Sequence, residues 1–191
     1  MLVTTQKELE YTTFHHFKYF YQEGTTDIDA QVEVALGLPR YFSEAEACEL
    51  DTTVTESEIK GVLAQMAADK SPGPDGWPVE FFLSFYHILG TDLLHMVEDS
   101  RIRGTVTGSL NATFITLIPK SDNPEHLSDF RPISLYNLVY KIISKVISNR
   151  IKPILAKYVS PEQFGFLPER QIIDAIGITQ ECLHTVKTKK R

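Results

Sequence analysis

The sequence predicts an α+β fold, mostly helical with one small antiparallel strand pair. Three patterns carry that expectation. Apolar residues recur at three- and four-residue intervals over 56–68, 77–103 and 138–152, the spacing of one helix face. The run Thr113-Phe114-Ile115-Thr116-Leu117-Ile118 is β-branched and aromatic and ends at Pro119, as a strand does. A second such run, Phe130-Arg131-Pro132-Ile133-Ser134-Leu135, supplies its partner, across a connection too long for a tight hairpin.

Each element has a local reason. The segment through Tyr21 is rich in aromatics and reads as a short amphipathic helix; its adjacent His15 and His16 point about 100° apart on a helix and do not share a metal, so they are read as ordinary half-buried histidines. Residues 24–51 are acidic and irregular, a connector with a short helix around 43–49. In Val54-Thr55-Glu56-Ser57-Glu58-Ile59, Thr55 and Glu58 form a capping-box pattern and Val54 and Ile59 its hydrophobic staple, which starts a helix over 56–68. That helix stops at Ser71-Pro72-Gly73-Pro74-Asp75-Gly76, whose prolines and glycines force a turn.

Trp77, Phe81, Phe82, Phe85, Leu89, Leu93 and Val97 then predict a mostly buried helix to about Arg103, with Gly90 as a bend. From Leu138 to Lys152 apolar residues pair at 138/139, 142/143 and 146/147, and Lys141, Lys145 and Lys152 fall within about 40° of one another on the opposite face. Pro153 kinks or restarts that helix, a turn follows at Ser160-Pro161, and a last helix starts near Ile172. Residues 187–191 read as a solvated end.

A chain of 191 residues with 42% hydrophobic and 23% charged residues has the length and composition for one sizeable core, with or without a smaller appendage, and not for collagen-like or disordered classes. No window approaches the roughly 20 apolar residues of a membrane helix, and the N-terminus lacks the pattern of a secretory signal. Cys48 and Cys182 sit in no metal or redox spacing and read as small buried or half-buried hydrophobes. The chain is therefore expected inside the cell, nuclear or cytoplasmic. Net charge is divided: residues 1–69 carry four Lys and Arg against thirteen Asp and Glu, a balance of −9, and residues 130–191 carry eleven against four, a balance of +7. A basic C-terminal third fits a polyanion partner and equally a solvated helix surface.

Common hydrolase and nucleotide-fold signatures are absent: there is no HExxH, GxSxG, P-loop or GxGxxG. Two-metal chemistry needs clustered carboxylates, yet no Asp-Asp dipeptide occurs, and Glu98-Asp99 reads as a solvent-exposed acidic pair late in a helix. The chain does carry anion donors around its strand pair. Lys120 follows the first strand, Arg131 begins the second and Arg170 comes later; a Lys and an Arg on opposing strands can clamp a triphosphate, although each alone is an ordinary surface cation.

The blocks LIPK (117–120), DFRPISL (129–135), YKIISKVISNRIKP (140–153) and SPEQFGF (160–166), followed by Arg170 and Asp174-Ala175-Ile176, together resemble the reverse transcriptase of LINE-type non-LTR retrotransposons, the plant lineage above all. DKSPGPDGW (69–77) and LNATFITLIPK (110–120) match the same family in the same order. The resemblance covers about 51–190 and implies a boundary there: an acidic helical lead-in over 1–50, and over 51–191 a partial domain corresponding to the fingers, short of the catalytic palm. It implies Lys120, Arg131 and Arg170 as contacts to a deoxynucleoside triphosphate. Lys141, Lys145 and Lys152, with Gln163, Gly165 and Phe166, are implied to lie along an RNA template. The family's catalytic aspartates lie in later segments, so no catalytic or metal-binding residue and no cofactor is expected in this chain, Mg²⁺ belonging to the intact enzyme, and the missing palm is an expected partner. A non-catalytic nucleic-acid-binding module and an inactive element relic are the alternative readings.

Overall fold

A computed structural model describes residues 5–22, 24, 27–37, 42–160, 162–165, 167 and 170–189. In chain order the elements are α1 (Gln6–Phe20), α2 (Ile28–Gly37), α3 (Glu44–Leu50), α4 (Glu56–Ala64), α5 (Val79–Ser84), α6 (Tyr86–Arg103), β1 (Thr113–Pro119), a 3₁₀ turn (Leu127–Asp129), β2 (Phe130–Tyr136), α7 (Leu138–Tyr158) and α8 (Ile172–Lys189). The fold is the expected one, mostly helical with one antiparallel pair among the described residues, β1 beside β2. It divides into two compact units, residues 41–112 with 136–191 and residues 1–40 with 113–135, a cut that does not follow the sequence boundary near residue 51.

In the first of these units α4, α6 and α7 pack pairwise around Ile59, Val62, Leu63, Leu93, Val97, Ile142, Ile143 and Val146, all buried. The apolar spacing read from the sequence is the reason: each helix turns one stripe inward. Thr55 caps α4 by accepting the Glu58 N–H at 3.3 Å, and both Val54 and Ile59 enter the core. The reciprocal half of the capping box is diverted, because the Glu58 carboxylate accepts from Arg150 Nε at 2.7 Å and Nη2 at 2.8 Å. The helix ends at Ala64, four residues before the expected end.

The long helix expected over 77–103 is two helices, and the break lies at Phe85 and not at Gly90. Gly90 is buried inside α6, where a Cβ would come within 2.6 Å of the Tyr86 ring; its small size serves packing, not bending. Gly104 closes α6 in the left-handed region, φ 63°. Pro153 neither ends nor restarts α7, which runs unbroken with Ile143 and Val146 anchored before the proline and Ile154 after it. Glu98 is not a solvent-exposed acid: its carboxylate accepts from Arg101 Nη2 at 2.6 Å and from the Val54 N–H at 3.0 Å, while Asp99 pairs with Arg103 at 2.9 Å.

In the second unit α1 is capped by a complete Thr5–Glu8 box. His15 and His16 are exposed on α1, not half-buried, with His15 tilted against Tyr11 at 4.2 Å between ring centroids. Residues 28–37, expected to be irregular, form α2, started by Asp27 Oδ1 accepting the Ala30 N–H at 3.1 Å. Between β1 and β2 the Asp129 carboxylate accepts the N–H groups of His126 at 2.9 Å and Glu125 at 3.1 Å, which holds it below its ordinary pKa range. Cys48 and Cys182 are exposed thiols; each lies on the outward side of a short or unpacked helix, α3 and α8, so neither packs as a core residue. No helix among the described residues is long and apolar enough to cross a membrane.

Candidate nucleotide and nucleic-acid sites

The β pair brings Lys120 and Arg131 to one pocket of about 330 Å³, as the alternation of the two strands allows. Both side chains are exposed. The Lys120 N–H closes the ladder onto the Asp129 carbonyl at 2.7 Å, and its ammonium donates to the Ser128 carbonyl at 2.6 Å. That bond fixes the ammonium at the mouth of the hairpin and leaves two of its three N–H groups for a ligand.

In the other unit Lys141, Lys145 and Lys152 lie along one side of α7, and all three are half-buried. They do not oppose the apolar face as expected; at about 100° per residue they flank it by about 110°. Half-burial of this kind is usual for long cationic side chains, whose stems lie on apolar surface while the charged head stays in water. Lys152 lines a groove with Ser148, Val159, Gln163 and Gly165, so three of the expected template residues share one surface. Phe166 lies outside the described residues.

Arg170 is placed differently from the other cations. Its Nη1 donates to the carbonyls of Ser160 and Gln163 and its Nη2 to those of Ala156 and Val159, at 2.5–3.4 Å. Four of its five N–H groups therefore satisfy main-chain oxygens at and beyond the end of α7, where a helix leaves its carbonyls unpaired. This clamp shapes the groove by tying Ser160 and Gln163 to the end of the helix.

Two residues that sequence reasoning passed over organise this unit. Asn137, buried, accepts the Asp75 N–H on Oδ1 at 3.1 Å and donates from Nδ2 to the Ser109 carbonyl at 3.0 Å. The turn of 70–76 is thereby seated on the start of α7, so closely that a Cβ on Gly73 would lie 2.4 Å from the Asn137 nitrogen. Arg150 pairs with Glu58 and also donates to the carbonyls of Leu50 and Thr52 at 3.0 and 2.6 Å. Its guanidinium holds the Glu58 carboxyl below the ordinary carboxylate range. A lone Asn before a helix, and an Arg two positions before a lysine in a basic stripe, carry no distinguishing signal in one sequence.

The acidic and basic thirds of the chain thus partly neutralise each other, through Arg150 with Glu58 and Lys157 with Glu46 at 3.0 Å. Among the described residues no three His, Cys, Asp or Glu side chains come together as a metal site.

Residues 118–191 match the family described as reverse transcriptase (RNA-dependent DNA polymerase). The chain is also 35% identical over 156 residues to the "Transposon TX1 uncharacterized 149 kDa protein" of Xenopus laevis, an alignment that takes in 82% of this chain. It spans 12% of the length of that relative. Lys120, Arg131, β2, α7 and α8 therefore lie in the stretch that matches the reverse transcriptase family, and over most of its length the chain is similar to a transposon protein.

Proposed function

We propose that this chain is part of the reverse transcriptase of a LINE-type non-LTR retrotransposon, where it positions the incoming deoxynucleotide and the RNA template. The assignment to the LINE type, and within it to the plant lineage, is supported by the sequence blocks from DKSPGPDGW to SPEQFGF. The observation that carries the template role is the lysine stripe on α7. Arg150 and Lys157 on the same helix are tied to carboxylates, whereas the ammonium groups of Lys141, Lys145 and Lys152 make no ion pair or hydrogen bond with other described residues. Three cations spread over about 17 Å of one rigid helix, at about 1.5 Å per residue, suit a phosphate backbone and read no sequence.

Lys120 and Arg131 take the triphosphate in this reading, and Arg170 serves the template groove by holding Ser160 and Gln163 in place. Magnesium enters with the aspartates of the intact family enzyme. The rest of the polymerase is the expected partner.

The test is binding of single-stranded RNA by the purified chain at 50 and 200 mM salt. With three phosphate contacts the logarithmic salt slope is about −2, so the fourfold rise should weaken binding about twentyfold. Lys141→Glu/Lys145→Glu/Lys152→Glu should abolish most of the affinity and flatten that slope. Salt-insensitive binding, or binding that the triple variant leaves intact, would overturn the template role.

A further inference from the structure

Helix α1 lies in the same compact unit as the β hairpin and contributes to the same pocket that holds Lys120 and Arg131. From α1 come His16, Phe17 and Phe20, and from β2 comes Phe130. We propose that α1 supplies the base-binding wall of this pocket, so that it takes one nucleotide: the phosphate beside Lys120, Arg131 and His16, and the base against the aromatic side.

The argument rests on chemistry that is unusual for a helix surface. Phe20 remains 63% exposed although it flanks a pocket, whereas Phe17 beside it is 7% exposed and forms the floor. Phe20 meets both Phe17 and Tyr21 edge to face, centroids 6.4 and 5.1 Å apart, and its remaining exposed surface offers a face to a further ring. A flat aromatic base satisfies that face, and stacking of this kind accepts any base. His16 sits edge-on to Phe17 at 5.0 Å and adds an imidazole N–H to the cationic end. The hairpin carboxylate Asp129 is engaged through Oδ2 by the N–H groups of Glu125 and His126, which offset part of its charge. A volume of about 330 Å³ is at the small end of ligand sites, about 300–1,000 Å³, and suits one nucleotide better than a duplex.

Nothing in the family resemblance assigns a role to α1, so the inference goes beyond the proposed function, although its phosphate end rests on the same reading of Lys120 and Arg131. The two parts separate experimentally. Binding of deoxythymidine triphosphate and of a single-stranded RNA 12-mer would be measured for the full chain and for Phe20→Ala, His16→Ala, Phe20→Trp and Lys120→Ala/Arg131→Ala, with circular dichroism to verify folding. The proposal expects Phe20→Ala to bind about tenfold or more weakly with little change in salt slope, since stacking carries no charge. Phe20→Trp should retain affinity, and the new indole should be quenched on binding, above the signal of Trp77. His16→Ala and Lys120→Ala/Arg131→Ala should lose affinity chiefly at low salt.

If Phe20→Ala and His16→Ala bind as the native chain does while Lys120→Ala/Arg131→Ala does not, α1 has no part in the pocket and the proposal fails, with the triphosphate reading intact. If no variant differs from the native chain, both fail together. Losses confined to the triphosphate assign the pocket to a free nucleotide, and losses confined to the 12-mer assign it to one residue of a strand; either supports the proposal.

Discussion

The two compact units use their apolar residues in opposite ways. Residues 41–112 with 136–191 gather thirteen buried apolar side chains into one cluster. In residues 1–40 with 113–135, Phe17 is the one buried hydrophobe among the described residues, and Tyr11, Phe14, Tyr19, Phe20, Phe114 and Ile118 are exposed. Cohesion is therefore concentrated where amphipathic helices pack on three sides. The hairpin unit instead keeps aromatic and cationic groups at its surface, where a ligand with a flat ring and a negative charge can meet them.

The largest expected effect tests that contrast directly. Leu63 has no exposed surface, and Leu63→Ala should cost about 2–5 kcal/mol, combining lost transfer energy with a cavity that α6 and α7 cannot fully close. Phe20→Ala, at an exposed position, should stay within about 0.5 kcal/mol. Urea denaturation reads both; equal losses would mean that the hairpin unit carries a share of the stability that its burial does not reveal.

Arg150→Ala comes next. Arg150 and Glu58 keep 14% and 22% of their side-chain surface, so solvent screens the pair little. Losing the guanidinium strands the Glu58 carboxylate and releases the carbonyls of Leu50 and Thr52, which should cost about 1.5–3 kcal/mol. A double-mutant cycle with Glu58→Gln separates the pair from the carbonyl contacts; additivity would show that Arg150 acts through the loop of 50–54 alone.

Much of the core was legible because it depends on local periodicity. Ile59, Val62, Leu63, Ile142, Ile143 and Val146 could be read from spacing, and each is buried. The strand pair was legible from β-branched runs. What escaped depends on partners distant in the chain. The Glu58 side chain fits a capping box on local grounds, yet Arg150, 92 residues away, competes for it with a charged bidentate pair. Asn137 joins Asp75 and Ser109 across separations of 62 and 28 residues that no periodicity encodes. Of the site, residue types and order were visible; that α1 shares a pocket with Lys120 and Arg131 was not, because their segments are a hundred residues apart.

The smallest expected effect concerns acid. Glu46 is held at about 2, below the ordinary 4.5, first by the Ser43 N–H and then by Lys157 and Tyr158; Glu98 is held at about 2 first by Arg101 and also by the Val54 N–H. A folded-state pKa below the unfolded one means that the native state favours the charged form. The stabilisation is then complete above about pH 4.5 and disappears as pH falls toward 2. Lys157, the partner of Glu46, keeps 61% of its side-chain surface, so solvent screens that pair and keeps its share of the effect modest. The urea midpoint should therefore be level above pH 5 and decline across this window. Glu98→Gln should lower the midpoint at pH 6 and converge on the native chain near pH 2, since protonation has by then removed the same charge. If the two curves stay parallel throughout, the Glu98–Arg101 pair does not hold residues 51–54 in place and the decline arises elsewhere in the core unit.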